Sequence, residues 1–371
     1  MKGKWLMAAA AFLIVPFVLQ GCGFGNNEVS TDMDEPPEEL SEDVQWEEFG
    51  DMAEEQDESA EEPAESEKEQ AENTEDGSQT VAERELYLIS EDGMVVPHTF
   101  ELPAEEGALR QSLEYLVQDG PISTMIPNGF QAVLPPGTEV DVHLTEDGTA
   151  VADFSPEFRD YDPNNEQAVL QAVTWTLTQF DNVDQVKFQI NGYDQDTMPV
   201  ENTPIGEAFS RENGINLDNG DVADMTNSGS VTVYFLSQTG DSTYYVPVTR
   251  RVENFDKSEE LQVVMEELMK GPSSSYSSLH GVIRDGAELQ EETALGGETA
   301  SVFFNEAILT EQEGTAISEE ALHAITLSAT EIEGVETVEL NVEGVDEVIQ
   351  VSGEPVNEPL SRPASINAVE S

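Results

Sequence analysis

Glu85-Leu-Tyr-Leu-Ile-Ser90, followed after a short polar turn by Val95-Val-Pro97-His-Thr99, is written a second time as Val231-Thr-Val-Tyr-Phe-Leu-Ser237 and Tyr245-Val-Pro247-Val-Thr249. Both versions alternate β-branched or aromatic residues with polar ones across a turn, which predicts a β-hairpin at the head of each copy. Working outward, Leu109, Leu113, Leu116 and Val117 run up to Gly120-Pro121, and Leu261, Val264, Met265 and Leu268 run up to Gly271-Pro272. Spacings of three and four that stop at Gly-Pro predict an amphipathic helix in each copy, the first continuing to Gly120.

The parallel continues to the end of the chain. Leu134-Pro-Pro-Gly-Thr-Glu-Val140 matches Ile283-Arg-Asp-Gly-Ala-Glu-Leu289, and the strand Ala150-Val-Ala-Asp-Phe154 matches Ala300-Ser-Val-Phe-Phe304. A second helix carries Val169, Leu170, Val173, Trp175, Leu177 and Phe180 in one copy and Ala321, Leu322, Ile325, Leu327, Ala329 and Ile332 in the other. A last strand faces Val186, Phe188 and Ile190, or Val338, Leu340 and Val342, to one side. Each copy closes alike, in Phe209-Ser-Arg211 through Ile215-Asn216 and in Leu360-Ser-Arg362 through Ile366-Asn367. Repetition on this scale marks a duplicated unit. The unit reads β-β-α-β-β-α-β with an extended tail, an α+β domain of mixed sheet with both helices packed on one sheet face. The expected limits are 85–217 and 230–368, joined by a turn-rich linker at 218–229.

These elements resemble the GerMN module of GerM-type sporulation and spore-germination lipoproteins. The likeness rests on Val246-Pro-Val-Thr-Arg250, the helix ending Gly271-Pro272, Leu134-Pro-Pro-Gly-Thr138, Ala152-Asp-Phe-Ser155, Ala172-Val-Thr-Trp-Thr-Leu-Thr178, Val186-Lys-Phe-Gln-Ile-Asn-Gly192 and Ser361-Arg-Pro363. The second copy departs from it, with Arg284-Asp-Gly in place of Pro-Pro-Gly and Phe303 in place of the Asp of Asp-Phe. The resemblance implies a ring-building-motif-like fold and a non-enzymatic role in the space between mother cell and forespore. There such proteins help assemble the trans-envelope SpoIIIA–SpoIIQ type complex, so the expected partners are sporulation envelope proteins.

The N-terminus fits an exported, anchored protein. Lys2 and Lys4 precede an apolar run from Trp5 to Leu19, which ends Leu19-Gln-Gly-Cys22. A basic start and a short apolar stretch make residues 1–21 a signal peptide. The chain's single cysteine, Cys22, stands where a lipoprotein signal peptidase leaves the residue that takes the lipid, so membrane tethering through Cys22 is expected. Residues 22–84 then form an acidic spacer with no periodic apolar stripe, expected to stay disordered.

Of 371 residues, 78 are acidic and 14 basic, a formal charge of -64. Such a surface repels phosphate backbones, which excludes nucleic-acid binding through a basic face. The spacer accounts for about -22 of this; the repeats keep about -44, which points to a salt-tolerant, halophilic source whose stability rises as salt screens self-repulsion.

Chemistry is sparse. No Gly-x-Ser-x-Gly elbow occurs, Cys22 is committed to lipid, and His98, His143, His280 and His323 fall at unrelated positions, so no nucleophile–base pair and no metal or cofactor site is expected. Asp218-Asn-Gly-Asp221-Val-Ala-Asp224 lacks the ligand spacing of a calcium loop and reads as linker. Ser210-Arg211 and Ser361-Arg362 are expected to pin each tail to acids of its own copy. Arg250-Arg251 is the densest basic spot and belongs at an interface, internal or external. Two other classes stay open on residue types alone: a peptidoglycan-acting enzyme of the spore cortex using a carboxylate pair, and a solute-binding lipoprotein.

Overall fold

In the computed structural model, residues 80–220, 222, 227–310 and 314–369 are described. The expected signal peptide, Cys22 and nearly all of the expected spacer lie outside the described residues. In the first repeat, β1 (Val81–Ser90) and β2 (Val95–Pro103) form the antiparallel hairpin, followed by α1 (Ala108–Glu114), β3 (Phe130–Gln131), β4 (Val140–Leu144) and β5 (Thr149–Phe154). Then come α2 (Glu166–Leu177), β6 (Gln185–Ile190), β7 (Tyr193–Asp194) and β8 (Phe209–Ser210). The second repeat has β9 (Ser228–Thr239), β10 (Ser242–Glu253), α3 (Glu260–Lys270), β11 (Ala294–Gly296), β12 (Thr299–Phe304), β13 (Ala316–Ile317), α4 (Glu319–Ala329), β14 (Thr337–Val342), β15 (Ile349–Gln350) and β16 (Leu360–Ser361).

The hairpin of each repeat is a layer of its own. One sheet runs β2-β1-β3 and a mixed one runs β4-β5-β6-β7 with β8 also on β6; the second repeat has β10-β9 and β11-β12-β14-β16. Strands β5 and β6, like β12 and β14, pair in parallel, which requires a crossover, and α2 and α4 supply it. Each of these helices packs against the hairpin as well as the mixed sheet, so Val169 to Leu177 of α2 is buried without a break. A helix apolar around most of its circumference belongs inside, and the second copy follows suit from Ala324 to Ala329.

Two local differences from the sequence reading have physical causes. Strand β1 starts at Val81, inside the stretch assigned to the spacer, because Val81 to Glu85 find partners in Pro103 to Thr99. Helix α1 stops at Glu114; Leu116 and Val117 turn inward as loop, where the Leu116 carbonyl accepts from the amides of Val133 and Leu134. Its counterpart α3 does run to the glycine, Gly271 at φ 71°.

Glu166 begins α2 as a buried carboxylate. It accepts from the amides of Val200, Glu201 and Thr203 and from the Tyr161 hydroxyl at 2.7–3.0 Å. Burial pushes its pKa up, but the bonds from Thr203, Glu201 and Tyr161 outweigh that and bring it to about 2. The loop at 200–203 is thereby fastened to the helix start.

Candidate functional site

The two repeats meet along the outer edges of their hairpins, β2 facing β10, and the bonds across the junction come in matching pairs. An unpaired strand edge carries N–H and C=O groups that must be satisfied. Here each repeat's tail crosses over to do it. Ile215, in the first tail, accepts from the Thr249 amide of β10 at 2.8 Å and donates to Thr249 Oγ1 at 2.9 Å. Ile366, in the second tail, makes the same two bonds to Thr99 of β2, at 2.9 and 2.8 Å.

Between the edges stand two asparagines. Asn216 Oδ1 accepts from the Val95 amide at 2.8 Å, while its Nδ2 donates to the carbonyls of Val95 at 2.7 Å and Pro247 at 2.8 Å. Asn367 repeats the pattern on Tyr245 and Pro97: Oδ1 from the Tyr245 amide at 2.8 Å, Nδ2 to Pro97 at 2.7 Å and to Tyr245 at 2.9 Å. Each side chain joins its own hairpin to the other. Both residues have positive φ, 46° and 50°, a conformation asparagine tolerates better than most.

The inner edges are closed too. Gln179 exchanges bonds with Glu85, and Thr176 Oγ1 accepts from the Tyr87 amide at 3.1 Å. In the second repeat Ser328 Oγ takes the Tyr234 amide at 3.0 Å, and His280 bridges Leu236 through its backbone.

The tail arginines correct one expectation. Arg362 pairs with Glu331 of its own repeat at 2.9 Å, but Arg211 reaches across the junction to the same carboxylate at 3.2 Å. Arg211 has no acid at the equivalent place in its own copy, because Gln179 stands where the second repeat has Glu331. Arg211 lies 4.3 Å over the Trp175 ring and Arg362 5.5 Å over Tyr234, whose hydroxyl donates to Glu331 at 2.8 Å. Burial raises the Glu331 pKa, but Arg362, Arg211 and Tyr234 together hold it below the usual carboxylate range. A cavity of about 570 Å³ opens beside this cluster, lined by Arg84, Arg211 and Arg362 among Glu83, Glu85 and Glu331.

Arg250 is an internal residue. Its Nε bonds Asp218 at 3.2 Å, its other nitrogens reach the carbonyls of Glu267 and Gly271, and its guanidinium lies 5.0 Å from the Phe235 ring centre. The start of the linker is thus fixed to β10, with Asp218 and Arg250 both buried. Asp221, Ala223 and Asp224 of this stretch lie outside the described residues.

The histidines sit in separate elements. His143 is exposed on β4, and His323 on α4 has Nδ1 3.4 Å from the Tyr245 hydroxyl. His98 is buried on β2, its ring 4.3 Å from Phe130 and its Nδ1 3.1 Å from the Asn367 carbonyl. Burial pushes its pKa down to about 4, against the pull of that bond. Above pH 6.5 folded and unfolded chains both carry a neutral imidazole, and between pH 6.5 and 4 only the unfolded chain gains a proton. Stability is therefore expected to fall by about 3 kcal/mol between pH 6.5 and 4. Urea midpoints across that range, compared with His98→Val, the residue of the second copy, check it. Equal slopes in the two proteins would remove His98 as the cause.

Among the described residues no group of three or more His, Cys, Asp or Glu is placed to hold a metal ion, and no helix is long and apolar enough to cross a membrane. Sequence reading passed over Glu331, Gln179 and the bridging role of Asn216 and Asn367, although the recurrence of Ile-Asn at matching ends was a usable signal.

Residues 85–196 and 232–348 match the family model Germane, described as sporulation and spore germination. The chain is 40% identical over 368 residues to the spore germination protein GerM of Bacillus subtilis (strain 168), an alignment covering 99% of this chain and 98% of that one. The solved structure of the tandem GerMN domains of the sporulation protein GerM from Bacillus subtilis superposes with a TM-score of 0.73 at 43% identity, covering 78% of this chain and 100% of that one. With both halves matching the family's unit and the pair matching its tandem arrangement, the chain belongs to the Germane family of sporulation and spore germination proteins.

Proposed function

We propose that this chain is a non-enzymatic, lipid-anchored envelope protein of sporulation, held to the mother-cell side of the forespore intermembrane space through Cys22. There it helps assemble or stabilise the trans-envelope complex of SpoIIIA–SpoIIQ type. The observation that carries the reading is the junction: Arg211, Glu331, Asn216 and Asn367 are engaged in joining the two repeats into one double unit, a part suited to holding other proteins. His98, the most deeply buried of the four histidines, supports it by bonding a backbone carbonyl inside an aromatic nest.

The closed hairpin edges change how such a unit meets partners. Pairing along an exposed strand edge is one route open to small sheets; here β2 and β10 are occupied by the exchanged tails. Partner contact is then made away from β2 and β10, through side-chain surfaces or the end strands β4 and β11 of the mixed sheets. The acidic surface belongs to the same proposal as that of an exported protein working in brine, and a melting temperature unmoved by molar salt would remove that part.

The test is made in sporulating cells of the source organism. The wild-type chain is expected to label with palmitate, to stay with membranes and to bring down sporulation-complex components after crosslinking, whereas Cys22→Ala moves to the soluble fraction. Recovery of no envelope component by the anchored protein, with normal sporulation in its absence, would sink the reading.

A further inference from the structure

The junction is filled on one side and hollow on the other. Beside Asn216 the second repeat supplies Tyr276, whose hydroxyl lies 3.0 Å from the Asn216 carbonyl oxygen and 2.8 Å from that of Leu217. By the correspondence of the two repeats the same place beside Asn367 falls to Met125-Ile-Pro127, since both segments lie between a Gly-Pro pair and the residue that pairs with the hairpin's inner edge, Gln131 on Ile89 or His280 on Leu236. None of the three has a ring with a hydroxyl. A cavity of about 870 Å³ remains, walled by Met125, Ile126, Phe130, the β9–β10 turn and the Asn367–Val369 tail.

The wall keeps the polar pattern that Tyr276 satisfies opposite. His98 stands where the second repeat has Val248. Because a carbonyl only accepts, His98 Nδ1 carries the hydrogen toward Asn367, and Nε2 is a bare acceptor, buried and with no hydrogen-bond partner. The carbonyl of Asn367 has a second lone pair, and Ala368 follows it in the cavity lining. The site offers acceptors and aromatic edges and carries no cation. It fits a planar apolar group with one hydroxyl donor.

We propose that this cavity receives a tyrosine side chain from a partner protein, its ring against Ile126, Phe130 and Tyr244 and its hydroxyl donating to the carbonyls of Asn367 and Ala368, as Tyr276 does to Asn216 and Leu217. Tyr276 is the internal template for the occupant. With Asp241 on the rim and a chain charge of -64, the segment presenting that tyrosine is neutral or basic. The reading of the chain as an assembly protein supplies the source of the tyrosine, while the site itself stands on the geometry.

The probe is p-cresol, the tyrosine side chain alone, titrated into the chain from Cys22 to Ser371 with amide resonances followed by NMR. Saturable shifts are expected at Ile126, Thr239 and Ala368, with toluene, which lacks the hydroxyl, binding about threefold to tenfold more weakly. Ile126→Tyr fills the space from within and abolishes the shifts; should it not fold, Thr243→Trp on the exposed turn blocks the mouth. Absence of saturable shifts, shifts confined elsewhere, or equal affinity for toluene would overturn the proposal. If p-cresol binds as expected while no envelope protein is recovered from cells, the site stands and the assembly reading fails.

Discussion

Replacing Glu331 by alanine is expected to cost the folded chain about 3–5 kcal/mol, the size of effect seen when one partner of a buried ion cluster is removed. Its carboxylate accepts from Arg211, Arg362 and Tyr234, and its side chain is 9% exposed. Without it two guanidiniums remain beside each other with no acid between them. Arg362 keeps the Thr330 hydroxyl and the Leu327 carbonyl, and Arg211 keeps Thr178, but these bonds do not neutralise charge. Glu331→Gln retains shape and some hydrogen bonding, so it is expected to lose less than the alanine variant. Urea midpoints measure both. A loss under about 1 kcal/mol for alanine would mean that the pairs are solvent-screened and of the weak, surface kind.

The second large effect concerns the asparagines between the hairpins. Asn216→Ala leaves the Val95 amide and the Val95 and Pro247 carbonyls without their side-chain partner, and Asn367→Ala does the same to Tyr245 and Pro97. Stranded buried groups cost about 1–3 kcal/mol each, with water recovering part, so about 3 kcal/mol is expected per variant. Alanine also suffers at positive φ, where glycine does not. Asn216→Gly and Asn367→Gly are therefore expected to sit about 1 kcal/mol above their alanine counterparts. The double variant reports coupling: a junction that acts as one element gives a sum that departs from additivity. Two additive losses would show that the two bridges act independently and that the junction is not one element.

The duplicated order of strands and helices was legible because periodicity and Gly-Pro stops are local signals, visible in 85–99 and again in 231–249. Val186, Phe188 and Ile190 do point inward together, as their alternation required. What local sequence does not carry is the choice of partner between equals. The tail ending Ile215-Asn216 meets nearly the same hairpin chemistry on either repeat, Thr99 or Thr249, so its crossing to the other copy is decided by the packing of both together. Arg211 follows from that choice: its own copy offers Gln179, the other offers Glu331. For Arg250 the sequence left an internal and an external interface open because charge alone does not reveal burial; the acid that encloses it, Asp218, arrives from a turn-rich linker. The hollow beside His98 was equally hidden, since it depends on comparing Tyr276 with residues 125–127 after both have been placed.

Two repeats joined through exchanged tails fold as one body, and unfolding of residues 74–371 in urea is the measurement that decides it. That fragment is a single compact unit and contains one tryptophan, Trp175, buried in the first repeat under Arg211. Trp175 fluorescence reports the first repeat and far-ultraviolet ellipticity reports both. The two signals are expected to give one coincident transition, with a slope appropriate to the whole fragment. A Trp175 transition separated from the ellipticity change, or a plateau between two steps, would contradict it.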